Sequence, residues 1–136
     1  MKWLYCFSDS EPPIRLKVIL AGNADKHVGG FNGLYVLNLS QQVNNYPYWL
    51  RTNETAAIWW DKKNSSWSIG SKTELGKTIC GIHAPFGDER NPNLIQSNWK
   101  YFVKKGVWNN ANSNEVIIQD CSDEVDAPDK STCKQS

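Results

Sequence analysis

AAIWW (Ala56–Trp60), DKKNS (Asp61–Ser65) and SWSIG (Ser66–Gly70) follow one another without a gap. Isoleucine and tryptophan favour a pleated, half-buried surface, and the five polar residues between the two runs suit an antiparallel hairpin. The same grammar continues on both sides. Upstream, Ile14–Ala21 alternates, placing Ile14, Leu16, Val18 and Leu20 on one face and Arg15 and Lys17 on the other. Gly29-Gly30 and Asn32-Gly33 mark a turn before a strand over Leu34–Leu39, in which Tyr35, Leu37 and Leu39 share a face. A polar loop, Gln41–Asn45, precedes an extended Tyr46–Arg51 with Pro47 at its start or on an edge.

Downstream, Lys77–Ile82, Trp99–Val103 and Glu115–Asp120 read as further strands, with Gly106 breaking the chain between the last two. Residues 84–97 carry Pro85, Gly87 and Pro92 and form the longest loop. Helical spacing is nearly absent. The expected fold is all-β: a small antiparallel β-sandwich or barrel with extended N- and C-terminal segments. Its parts are an N-terminal segment (1–13), one domain (14–120) and a polar, cysteine-containing tail (121–136).

The 136 residues, 40% of them apolar and 12% aromatic, are enough for one core. Fifteen basic and 14 acidic side chains leave a net charge of +1, so no long-range field draws a polyanion and nucleic acid is not an expected partner. No apolar run approaches the eighteen or so residues of a membrane span, so no membrane insertion is expected. Lys2 is followed by only Trp3–Phe7 before polar sequence, too short for a signal peptide, so an exported form would be a mature or trimmed chain.

Cys6, Cys80, Cys121 and Cys133 are even in number, widely spread and free of C-x-x-C pairs, a pattern that allows two disulfides in any of three pairings. A Cys6–Cys121 bond would pin the two ends of the domain together and stabilise by about 4–5 kcal/mol in the chain-entropy model. Asn38, Asn53 and Asn64 each begin an N-glycosylation sequon in a plausible surface turn. Cysteines and sequons together lead to an extracellular or cell-surface location.

Seven tryptophans demand an explanation. Consecutive strand residues point to opposite faces, so Trp59 and Trp60 cannot both enter one core, and at least one is exposed unless a loop covers it. Trp59 or Trp60, with Trp49, is therefore the expected contact surface, since exposed indole faces stack on sugars, peptides or another subunit. Trp67, Trp99 and Trp108 read as core. Cys80-x-x-His83 has the spacing of half a zinc site, but no second compact pair follows and His27 reads as a loop residue, so no metal or other cofactor is expected. The acidic groups Asp88-Glu89 and Asp120, Asp123, Glu124 and Asp126 lack EF-hand spacing and read as solvated loops. No nucleophile-framing motif is present, so no catalytic residue is assigned and no enzyme is expected.

Asn32-Gly33-x-Tyr35, Pro47-Tyr48-Trp49, Ile58-Trp59-Trp60, Trp67-x-Ile69-Gly70, Trp99-x-Tyr101 and Trp108 occur in that order over Gly30–Ile118. The order resembles a tryptophan-rich β-module that recurs in large extracellular and surface proteins of animals and microbial eukaryotes and has no assigned activity. The resemblance implies a structural or binding unit with no catalytic residues. The expected function is a non-catalytic extracellular structural or adhesive subunit that assembles head to tail through its terminal segments, its partner another copy or another extracellular protein. The alternatives are a carbohydrate-binding module with an exposed tryptophan platform, and an intracellular protein-interaction domain.

Overall fold

A computed structural model of the protein describes residues 11–123. Nine strands, β1 (Arg15–Leu20), β2 (Gly33–Leu37), β3 (Trp49–Arg51), β4 (Ala56–Asp61), β5 (Ser66–Ser71), β6 (Ile82–His83), β7 (Lys100–Lys104), β8 (Val107–Asn110) and β9 (Val116–Asp120), form one antiparallel sheet. A short helix, α1 (Gly22–Val28), follows β1, and single 3-10 turns lie at Gly29–Phe31, Lys72–Glu74 and Pro92–Leu94. The strand order is β8-β7-β6-β5-β4-β3-β2-β1-β9, a meander whose last strand returns to the far side of β1.

That order sets the shape. Laid flat, nine strands would put β8 and β9 about 38 Å apart, at roughly 4.8 Å per spacing. The connection from Asn110 to Val116 has only six Cα steps, which reach about 22 Å at most. The sheet must therefore curl, and it forms a half-barrel. The open side is filled by α1, which packs on β7, with the His27 ring stacked on Tyr101 at 5.9 Å. The all-β expectation holds, in the barrel-like rather than the two-layer form.

One row of cross-strand partners, Leu37–Trp49–Ile58–Ile69–Ile82–Tyr101, crosses six strands on the inner face, each member at most 8% exposed. Beside it, Trp67 is edge-on to Trp49 at 5.6 Å and to Trp60 at 5.4 Å, and Tyr46 stacks on Trp60 at 4.6 Å. A buried indole N–H needs an acceptor, and loops have backbone carbonyls that no ladder satisfies. The two needs are met together: Trp49 donates to Pro13 O (2.8 Å), Trp67 to Glu89 O (2.9 Å) and Trp99 to Ile95 O (3.0 Å). Each of these tryptophans fills the core and ties a loop to it, which accounts for much of their abundance.

Several expectations need correction. The strand at Lys77–Ile82 is reduced to Ile82–His83, because residues 72–80 leave the sheet to cover its outer face. The second strand stops at Leu37, leaving Leu39 83% exposed. Cys80 is a free thiol, not a disulfide partner; it is the last residue of that cover and packs against the outer-face cluster. Cys121 is fully buried and is not free. Cys6, Cys133 and most of both terminal segments lie outside the described residues.

Candidate functional site

Strand parity sends alternate residues to the outer face, where a second row runs Trp59–Ser68–His83–Lys100–Asn110 across β4 to β8. Its two ends differ in kind. Trp59 and Ser68 are fully buried beneath residues 72–80, where Leu75 and Cys80 join Val43, Tyr48 and Ala57 in a small second core. Trp59 Nε1 donates to Lys77 O at 3.0 Å and so fixes the cover to the sheet. Gly70 permits the close approach: a Cβ there would lie 3.0 Å from the Trp59 ring and 3.1 Å from Cys80 Cα. Past the cover, His83 is half-buried and Lys100 and Asn110 are exposed.

Those three residues floor a groove of about 770 Å³. The β4–β5 hairpin supplies one wall through Asp61, Asn64 and Ser66, Cys80 and Thr78 lie along the cover, and Phe86, Asn98 and Trp108 stand at the rim. Trp108 is 37% exposed and is braced edge-on by His83 (4.8 Å) and Phe102 (5.5 Å), whereas Phe86 is 81% exposed. His83 Nδ1 lies 3.0 Å from Ala84 O. A carbonyl only accepts, so Nδ1 is the donor in this bond.

Asp61 is only 3% exposed and serves the hairpin itself. Its carboxylate accepts the backbone N–H groups of Lys63 (3.0 Å) and Asn64 (3.3 Å) and the Asn64 side-chain amide (2.8 Å). Asn64 is thereby held in place, with no bond to its Oδ1 among the described residues. The Cys80 thiol is pushed up to about 11, chiefly by burial, with the Ser68 hydroxyl opposing and the Asp61 charge reinforcing the shift. At neutral pH it is protonated and a poor nucleophile. Alkylation of folded protein by iodoacetamide is expected to be slow at pH 8 and to accelerate up to about pH 11. Because the unfolded thiol ionises first, near 9.0, stability from this group is present below pH 9 and lost as pH rises towards 11. A rate already at its plateau by pH 8 would contradict the burial.

Trp49, Trp59 and Trp60, the expected contact surface, are 0%, 0% and 8% exposed. Trp60 and Trp49 fill the inner core, and the cover over Trp59 removes the third from solvent. Trp108, expected in the core, is the tryptophan at the groove: it pairs with Phe102, the outward neighbour of buried Tyr101. Its side could not be read from sequence because the β7–β8 register slips between Phe102 and Lys104.

Of the sequon asparagines, Asn38 donates its amide to Tyr48 Oη (2.9 Å) and Asn64 donates to Asp61. Asn53 is exposed; its Oδ1 accepts from Arg51 Nε (3.0 Å) and from Thr55 N (3.1 Å) and Oγ1 (2.8 Å), with no bond given by its amide among the described residues. Asn53 is thus the sequon presented with its amide nitrogen outward. Among the described residues no three His, Cys, Asp or Glu side chains gather as metal ligands, and no helix is long and apolar enough to cross a membrane.

The arrangement suits reversible binding: aromatic faces at a rim, amides and an imidazole within reach, and an ammonium at Lys100 with no ion pair among the described residues. Comparison of the chain with protein-family models, curated proteins and solved structures found no match.

Proposed function

We propose that this domain is a non-catalytic recognition module that binds a saccharide in the outer-face groove. The observation carrying the reading is the pairing of exposed Trp108 and Phe86 with Asn64, Asn98, Asn110, His83 and Lys100 around one open concavity. A pyranose has an apolar C–H face and a girdle of hydroxyls that both donate and accept. Indole stacking serves the first, and amides, which have both donor and acceptor ends, serve the second. The groove volume lies within the usual range for small-ligand sites. The near-neutral net charge leaves binding to these short-range contacts.

Trp108→Ala is the test, read by glycan array and titration calorimetry. Trp108 is partly exposed on an edge strand, so the variant is expected to keep its circular dichroism while affinity falls about tenfold or more. Unchanged binding by the variant, or no binding of any glycan by the unaltered protein, would refute the reading.

A second reading, a structural or adhesive subunit at the cell surface that assembles head to tail, draws on β8. All four of its residues are exposed and it ends the sheet, so it offers an edge for strand addition. Most of the terminal sequence that would supply the added strand lies outside the described residues. Sedimentation at high concentration tests it, and a strictly monomeric chain would count against it.

A further inference from the structure

The saccharide groove continues past Phe86. A second cleft of about 230 Å³ lies on the other side of residues 85–87, with Trp60 and Trp67 at its base and Leu94, Gln96 and Glu89 around it. The two compartments share Ser66, Pro85, Phe86 and Asn98 as a common wall. Phe86 therefore crowns a saddle between two hollows rather than the rim of one.

The saddle is held firmly. Ala84 N–H donates to Trp67 O (2.9 Å) and Gly87 N–H to Ser65 O (3.1 Å), which clamps both ends of the Pro85–Phe86 segment to the β5 side of the hairpin. Trp67 and Trp99 bind Glu89 O and Ile95 O, fixing the chain on either side of the smaller cleft. Asn98, the other shared residue with an exposed side chain, sits in the left-handed region at φ 68°, a conformation that asparagine tolerates better than most residues. An apolar ring 81% exposed on so constrained a segment adds nothing to the core and loses little entropy when a ligand covers it.

Building on the saccharide reading, we infer that the site takes an internal stretch of a linear, neutral glycan, laid across both compartments with one sugar ring on Phe86. A single terminal sugar would fill one hollow and leave Phe86 wet. A chain uses Trp108 and Phe86 as successive stacking platforms, with Asn98 between the hollows to hydrogen-bond across the saddle. The charges on the path without an ion pair among the described residues oppose one another, Lys100 in the larger compartment and Glu89 in the smaller, which suits a chain without charge of its own.

The experiment is calorimetric titration of the full chain with cello- and chito-oligosaccharides of two to six units, beside Phe86→Ala and Trp108→Ala. Affinity is expected to rise about tenfold or more between the disaccharide and the longer members and then level off. Phe86→Ala should erase that gain, bringing the disaccharide and hexasaccharide affinities of the variant within about twofold of each other, and Trp108→Ala should weaken every member. Disaccharides binding as tightly as hexasaccharides, or a length gain that survives Phe86→Ala, would overturn the extended site and leave saccharide recognition standing. Failure of every oligosaccharide, together with an empty glycan array, would overturn both. Phe86 is so exposed that its loss is not expected to disturb folding.

Discussion

Trp67→Ala is expected to lower folding stability by about 3–5 kcal/mol, the usual loss for a large buried aromatic. Trp67 has no exposed surface, is edge-on to Trp49, Trp60 and Tyr46, and pairs across strands with Trp60. Its removal opens a cavity among rigid rings that cannot collapse into it, and also strands the Glu89 carbonyl that its indole N–H satisfies. Against a typical total of about 5–15 kcal/mol, such a loss leaves a marginal domain. Urea denaturation measures it. Trp67→Phe separates the contributions, keeping most of the ring but not the N–H, and is expected to fall between the alanine variant and the unaltered protein. A loss below about 1 kcal/mol for Trp67→Ala would mean that the aromatic cluster is not the centre of the core.

Trp59→Ala is expected to cost about 3 kcal/mol, by the same cavity argument applied to the smaller outer core. It also has a consequence that Trp67→Ala lacks. Trp59 anchors the cover through Lys77 O and underlies Leu75 and Cys80. Once it is gone, residues 72–80 lose their hold, Cys80 gains solvent, and its thiol returns towards its ordinary range. Iodoacetamide should then label Cys80 readily at pH 8 in protein that is still folded. If Trp59→Ala destabilises without speeding the labelling, the cover is held by something other than this indole.

Much of the architecture was legible because it is local. The β4–β5 hairpin lies where its composition places it, and β1 buries Leu16, Val18 and Leu20 as its alternation requires. Parity also separated Trp59 from Trp60 correctly, one to each face of the sheet. What parity cannot supply is the identity of the covering segment. Residues 77–82 have good strand composition, yet most of them leave the sheet because Trp59 offers a better use for them.

The elements that were missed owe their existence to distant partners. Gly22–Val28 has only Ala24 and Val28 as an apolar face, too short a stripe to announce a helix; its start is held by Glu115, whose carboxylate accepts from Asn23 N (3.0 Å) and whose carbonyl accepts from Ala21 N (3.1 Å). Strand β8 is four exposed residues with no buried face to betray them. The groove follows from two failures of locality, the unforeseen β8 and the displaced cover, since its rim tryptophan sits on β8 and part of its wall is that cover. Its amide and imidazole residues are unremarkable until the register aligns His83, Lys100 and Asn110.

Strand β1 lies between β2, its near neighbour in sequence, and β9, whose partners are about a hundred residues away. On a ribosome the chain emerges in order, so for most of synthesis one flank of RLKVIL has nothing to pair with. An apolar edge open for that long invites pairing between nascent chains. Arg15 and Lys17, alternating with the leucines and valine, place charge along that edge while it waits. The sheet is complete only when β9 arrives, so a polypeptide stopped before Val116 would forfeit the half-barrel together with that five-residue strand.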